Sequence, residues 1–248
     1  MSPDPTAKHV NTRNPPVANE ENQSCPFLNT HDKFNEAHYF LSEIVTNYHE
    51  PEPFRWSLNA FLEALRSVTF VFQKETKRTT GIAKWYGTQQ QTMRVDSLLR
   101  TFVEGRNIVV KEGMLKPTST ADIGLFRGRV LKLTFGMKVS PFVPSKVLLE
   151  QAQTVLIGTI LDIEHSAIGE QLGVRRRWAV EQLGNDEVVS LCDRAWARIG
   201  TFFSDAHKLV GRKYDGPPDH GHKDALPNFS ILLESDVDPS LPSKWGWN

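Results

Sequence analysis

DSLLRTFVEGRNIVVKEG, residues 96–113, decides how the rest of the chain is read. Leu99, Phe102, Val103 and Val110 recur at the spacing of one helix face. Asp96 stands where a helix cap belongs, and Gly113 followed by Pro117 supplies a stop. At 100° per residue Arg106 projects between Phe102 and Leu99, toward the place where this helix meets its neighbours. A guanidinium keeps its charge there, and burying it alone costs several kcal/mol. The stretch therefore demands either a carboxylate or amide from another helix, or a cleft.

Working upstream, Phe34, Ala37, Leu41, Ile44, Val45 and Tyr48 keep helical spacing, with Asn29 or Thr30 as the expected cap. His38 shares that face, either as a hydrogen-bonded core residue or as part of a polar binding site. Pro51 and Pro53 close this helix and open the next, where Leu58, Phe61, Leu62, Leu65, Val68 and Phe72 form a wide stripe. Asn59 and Glu63, on its shoulder, are the best-placed binding partners for Arg106. A weaker helical pattern marked by Trp85 and Tyr86 fills residues 82–93. Short links and wide apolar stripes make the front half a bundle of about four helices.

Placed last of these four, LLRTFVEGRNIVV resembles the signature helix of the HEPN superfamily, which includes RNA-cleaving toxins and phage-defence effectors. The resemblance covers roughly residues 30–116. In catalytic members Arg, usually followed by a polar residue, precedes a His after four to six intervening positions. Arg106 and Asn107 match the start, while Lys111, Glu112 and Gly113 stand where that His would be. The resemblance implies a dimer with two signature helices facing one cleft. It also implies a catalytic set of Arg106 on a phosphate, Asn107 orienting and Lys111 in place of histidine. A lysine starts from a pKa of about 10.4 and would need a downward shift of about three units to act as a base at pH 7. The base of standard HEPN ribonuclease chemistry is therefore missing.

Downstream of Pro117 the period changes. Leu131, Leu133, Phe135, Met137 and Val139 alternate with Lys132, Thr134, Gly136 and Lys138, the clearest strand in the chain. Residues 154–164 read as a second strand, residues 174–178 as a short third, and residues 146–153 as a helical turn between. Arg127, Arg129 and Lys132, with Lys138 and Arg175 to Arg177, make this module basic enough to contact phosphates, although Glu164, Glu170 and Glu181 dilute the field. From Asn185 or Asp186 a regular stripe of Val189, Cys192, Ala195, Trp196, Ile199, Phe202, Phe203 and Ala206 predicts a long last helix packing back on the bundle. The expected fold is thus mainly α (α+β): a HEPN-like bundle of four to five helices with a small antiparallel β insertion before the last long helix. The expected organisation is a disordered leader at 1–28, one domain at 29–211 with its β excursion at about 122–180, and a tail at 212–248.

The balance of 29 Lys and Arg against 29 Asp and Glu excludes a global field that would steer the chain to nucleic acid. No apolar run is long enough for a membrane helix or a signal peptide, so the expectation is a cytoplasmic protein without membrane attachment. Cys25 and Cys192 read as free thiols, and neither has a metal-type CxxC neighbour. His220 and His222 in the tail, with Asp219 and Asp224, make a weak chelating pattern, so neither metal nor cofactor is expected. Three readings of function remain. The favoured one is a HEPN-like protein without standard nuclease activity that binds RNA, a nucleotide or a protein partner, in stress or phage defence. The second is a metal-independent endoribonuclease, a toxin or defence effector using Arg106. The third is a structural or assembly protein in which Arg106 forms an internal ion pair with Glu63 or Glu43.

Overall fold

The computed structural model describes residues 25–79, 81–127, 130–156, 171–212 and 214. Six helices and three strands follow one another among these residues: α1 (Leu28–Thr46), α2 (Pro51–Thr76), α3 (Ile82–Val95), α4 (Ser97–Glu112), β1 (Pro117–Arg127), β2 (Val130–Val139), α5 (Ser145–Leu156), β3 (Gln171–Val180) and α6 (Val188–Leu209). The protein is mainly helical with a small antiparallel sheet, as its apolar periodicities require.

α1 and α2 form an antiparallel hairpin because only residues 47–50 separate them, and Pro51 opens α2 where a missing N–H costs nothing. α1 does not begin as expected. Asn29 and Thr30 lie inside its first turn, and Phe27 at the cap position makes no side-chain cap bond. The free N–H groups are instead met from α2: one oxygen of Glu75 accepts from the Asn29 backbone and side-chain amides at 3.0 and 2.8 Å, the other from the Thr30 N–H and hydroxyl at 3.1 and 2.5 Å.

α4 starts and stops where the sequence places it. Asp96 accepts from the Leu99 N–H at 3.0 Å, and Gly113 ends the helix with φ +83°, a left-handed value that favours glycine. Its buried face is Phe102, Gly105 and Val109, whereas Val110 is exposed. The contact face is therefore turned toward Gly105, and Arg106 falls on its half-buried edge. Gly105 is close-packed: a Cβ there would lie 2.8 Å from Leu183 Cδ2.

α6 packs against α1, α3 and α4 and closes the bundle, with Trp196 stacked on Phe34 at 4.4 Å and Trp85 stacked on Phe202 at 5.4 Å. It begins two or three residues later than expected, at Val188 after Glu187, whose carboxylate accepts from the Ser190 N–H at 3.0 Å. The sheet has the order β2-β1-β3, all antiparallel, so β1 is central. The predicted strand at 154–164 is corrected where it is described: residues 154–156 are the last turn of α5, and 157–170 lie outside the described residues. β3 joins the sheet to the bundle. Trp178 is fully buried, stacks on Phe54 at 4.5 Å and donates its indole N–H to the Tyr48 carbonyl at 2.8 Å.

Candidate functional site

A cavity of about 240 Å³ opens between α2, α3, α4 and α6. α2 contributes Leu62, Leu65, Arg66 and Thr69, the one-turn spacing that puts four side chains on one face. Tyr86, Gln90, Met93 and Arg94 come from α3, and Leu99, Arg100, Phe102 and Val103 from α4; Ile199 of α6 closes the floor. The result is an apolar and aromatic floor with three arginines in its wall. Arg100 pairs at 3.6 Å with Glu104, both exposed. Arg66 donates to the Thr69 hydroxyl at 2.8 Å and lies 4.1 Å over the Phe70 ring. Among the described residues neither Arg66 nor Arg94 has a carboxylate partner. Burial lowers the pKa of Arg66, and the charge of Arg106 lowers it further. Arg66 in the wall and Arg106 outside the cavity thus repel each other, a field that an anion would relieve.

Arg106 does not line this cavity, but its Nε is buried with no hydrogen-bond partner. No hydrogen bond or ion pair among the described residues joins it to Asn59, Glu63 or Glu43. Glu63 is exposed, and Asn59 lines a smaller cleft of about 100 Å³ with Arg55, Trp56 and Met114. His38 lies half-buried with its ring 5.3 Å from Trp196, in the α1–α6 interface. Asn107 and Lys111 are exposed, Lys111 in the last turn of α4. The structure thus places Arg106 beside Arg66 and disperses the other expected site residues.

The basic sheet is also spent largely on structure where it is described. Arg175 pairs with Asp122 across β1 and β3 at 2.6 Å, and Arg177 donates to the Asn185 carbonyl at 3.0 Å. Arg176 is fully buried. Its guanidinium donates to Ser119 Oγ at 2.7 Å, to the Val143 carbonyl at 2.7 Å and to the Ser140 carbonyl at 3.1 Å, over the Trp178 ring. Burial pushes its pKa down to about 10, so it stays charged at neutral pH. Arg127 ends β1 opposite Val130, Lys132 lies in β2, and Arg129 lies outside the described residues.

One cluster escaped the sequence reading. Cys25 Sγ lies 3.4 Å from His31 Nε2 and 3.3 Å from His207 Nε2, and the two imidazole nitrogens are 3.0 Å apart. Its members come from the entry to α1 and the last turn of α6. His207 Nδ1 is 2.8 Å from the Phe203 carbonyl and donates to it, which turns the Nε2 lone pair toward the other two atoms. Burial holds both histidines below their usual pKa, His31 at about 4 with help from neighbouring His207, so both rings are neutral at pH 7. Burial pushes the Cys25 thiol up. The Tyr214 ring stacks on His207 at 4.7 Å. The only hint in the sequence is a Cys with a His six residues on; the partner is 176 residues further along, beyond any local spacing rule.

Helical bundle and inserted antiparallel sheet define a mainly α protein with an arginine-walled cavity; no helix among the described residues is long and apolar enough to cross a membrane. The chain belongs to the bacteriophage lambda protein ea47 family, which matches residues 18–227. Protein ea47 of Escherichia phage lambda is 31% identical over 94 residues, 38% of this chain and 23% of that protein, so the matched stretch spans under a quarter of that relative. No solved structure matches the chain. These findings overturn the HEPN resemblance: family and relative both point to ea47, and neither points to HEPN. An Arg-Asn pair on an amphipathic helix is too short a pattern to define a family. The implied facing-helix dimer and the ribonuclease reading lose their ground with it.

Proposed function

We propose that this phage-family protein binds a nucleotide, free or at the end of an RNA strand, in the cavity between α2, α3 and α4. The observation that carries this is the pairing of an aromatic and apolar floor, Tyr86, Met93 and Phe102, with Arg66 and Arg94 in the wall. A nucleotide has both halves of that complement: a planar base for the floor and a phosphate for the guanidinium groups. The volume, just under the ~300–1,000 Å³ usual for small-molecule sites, suits one base with its sugar. Arg106 acts behind Arg66, raising the local positive potential.

The test is fluorescence anisotropy with a labelled mononucleotide and with a labelled short single-stranded RNA, each titrated against salt. Binding is expected to weaken by at least tenfold in Arg66→Ala with Arg94→Ala, and the salt slope to fall by about one per lost phosphate contact. A preference for the RNA would mean that only a strand end fills the site. Equal affinity in native and doubly substituted protein would remove this reading.

A further inference from the structure

We propose that Cys25, His31 and His207 form a zinc-binding site that ties the entry to α1 to the last turn of α6. This site is independent of the arginine-walled cavity.

The geometry is that of one face of a tetrahedral ligand set. Zinc binds thiolate sulfur at ~2.3 Å and imidazole nitrogen at ~2.0–2.1 Å, so in a tetrahedral site N···N separations are ~3.3–3.4 Å and S···N separations ~3.5–3.6 Å, a few tenths of an ångström longer than those here. The three atoms here are separated by 3.0, 3.3 and 3.4 Å, so a cation at bonding distance from all three fits just above their triangle. These separations suit a single small ion better than three ordinary side-chain hydrogen bonds, because three such groups cannot all satisfy one another pairwise. His207 carries the support that a metal-bound imidazole needs, since its Nδ1–H is held by the Phe203 carbonyl. Its ring is fixed between Tyr214 on one face and the edge of Phe203, while Phe203 and Tyr214 also contact the ring of His31. One thiolate and two imidazoles favour zinc over magnesium or calcium, which take oxygen ligands.

Binding balances simply. The Cys25 thiol gives its proton to solvent as the S–Zn bond forms, and His31 carries its remaining proton on Nδ1 so that Nε2 donates its lone pair. One proton leaves per zinc bound. Three protein ligands leave a fourth tetrahedral position, to be filled by water or an added donor.

The full chain, stripped with chelator and dialysed, is titrated with zinc alone and with cobalt alone. Zinc is expected to bind at one equivalent and raise the melting temperature. Cobalt is expected to give the visible bands of a tetrahedral site and a near-ultraviolet thiolate-to-cobalt charge-transfer band. Cys25→Ser is expected to abolish that band. Cys25→Ser and His207→Gln are each expected to weaken zinc by more than the ~10–100-fold that outer-shell changes cost. A cobalt complex of the native chain without the thiolate band would overturn the proposal, as would zinc binding left intact in both variants. If His207→Gln does not fold, the cobalt spectrum of the native chain and the binding of the less buried His31→Asn variant decide the same question.

Discussion

Glu75 shows how much one side chain does here. Its two oxygens accept four hydrogen bonds from Asn29 and Thr30, and they place a carboxylate at the positive end of α1. Glu75→Ala leaves a buried hydroxyl and two backbone amides unpaired, and is expected to lower stability by about 2–4 kcal/mol in urea unfolding. Glu75→Gln, which keeps one acceptor oxygen, should lose clearly less. None of this is legible locally, because donor and acceptor stand about 45 residues apart and the nearest rule of thumb nominates Asn29 or Thr30 as the cap. Arginine carries the same lesson. The fully partnered, buried arginine is Arg176, placed by the sheet, while Arg106 rests on the edge of its helix with an unsatisfied Nε. Sequence periodicity can find an arginine on an apolar face, but not the carbonyls of a distant turn that receive one.

Elements were most readable where the signal is local. Asp96 and Gly113 bound α4 as their chemistry requires, and the apolar stripe of α6 names eight of its twelve buried residues, leaving out Val188, Leu191, Gly200 and His207. Apolar periodicity sets the centre of the α4 face off because Gly105, which is buried against Leu183, has no side chain to register as hydrophobic. That contact can be tested directly. Gly105→Ala gains up to ~1 kcal/mol of helix propensity, which offsets the push on the Leu183 side chain, so its melting point should move little. Gly105→Leu has no such offset and is expected to cost about 1–3 kcal/mol by overpacking. β1 escaped for a related reason. Its inward residues include Ser119 and Ala121, small or polar because Ser119 receives Arg176, so the strand shows little apolar alternation.

At the scale of the whole molecule, bundle and sheet meet at a polar joint. The Tyr48 hydroxyl, in the link between α1 and α2, lies 3.0 Å from the Arg176 carbonyl and 3.1 Å from Glu187 Oε1 at the start of α6. Burial raises the pKa of the Glu187 carboxyl. A carboxyl whose folded pKa exceeds its unfolded value stabilises the fold fully below the unfolded pKa, and that contribution is lost as pH rises through the folded value. The expected outcome is that Glu187→Gln, which removes the titration but keeps an acceptor for Ser190, gains stability relative to the native chain between pH 4.5 and pH 7. Paired urea unfolding curves at the two pH values check this.

The contact of Cys25 and His31 with His207, and of His31 with Tyr214, also brings the entrance and exit of the described fold to one spot. The order in which the backbone visits its helices is therefore a matter of where it happens to be cut. A linker of a few residues from Tyr214 back to Cys25, with new ends opened at the exposed residues 77–78 between α2 and α3, is expected to give a circular permutant that keeps the packing of the six described helices, which a thermal melt checks. It also turns the two halves of the Cys-His cluster from distant relations along the chain into near neighbours.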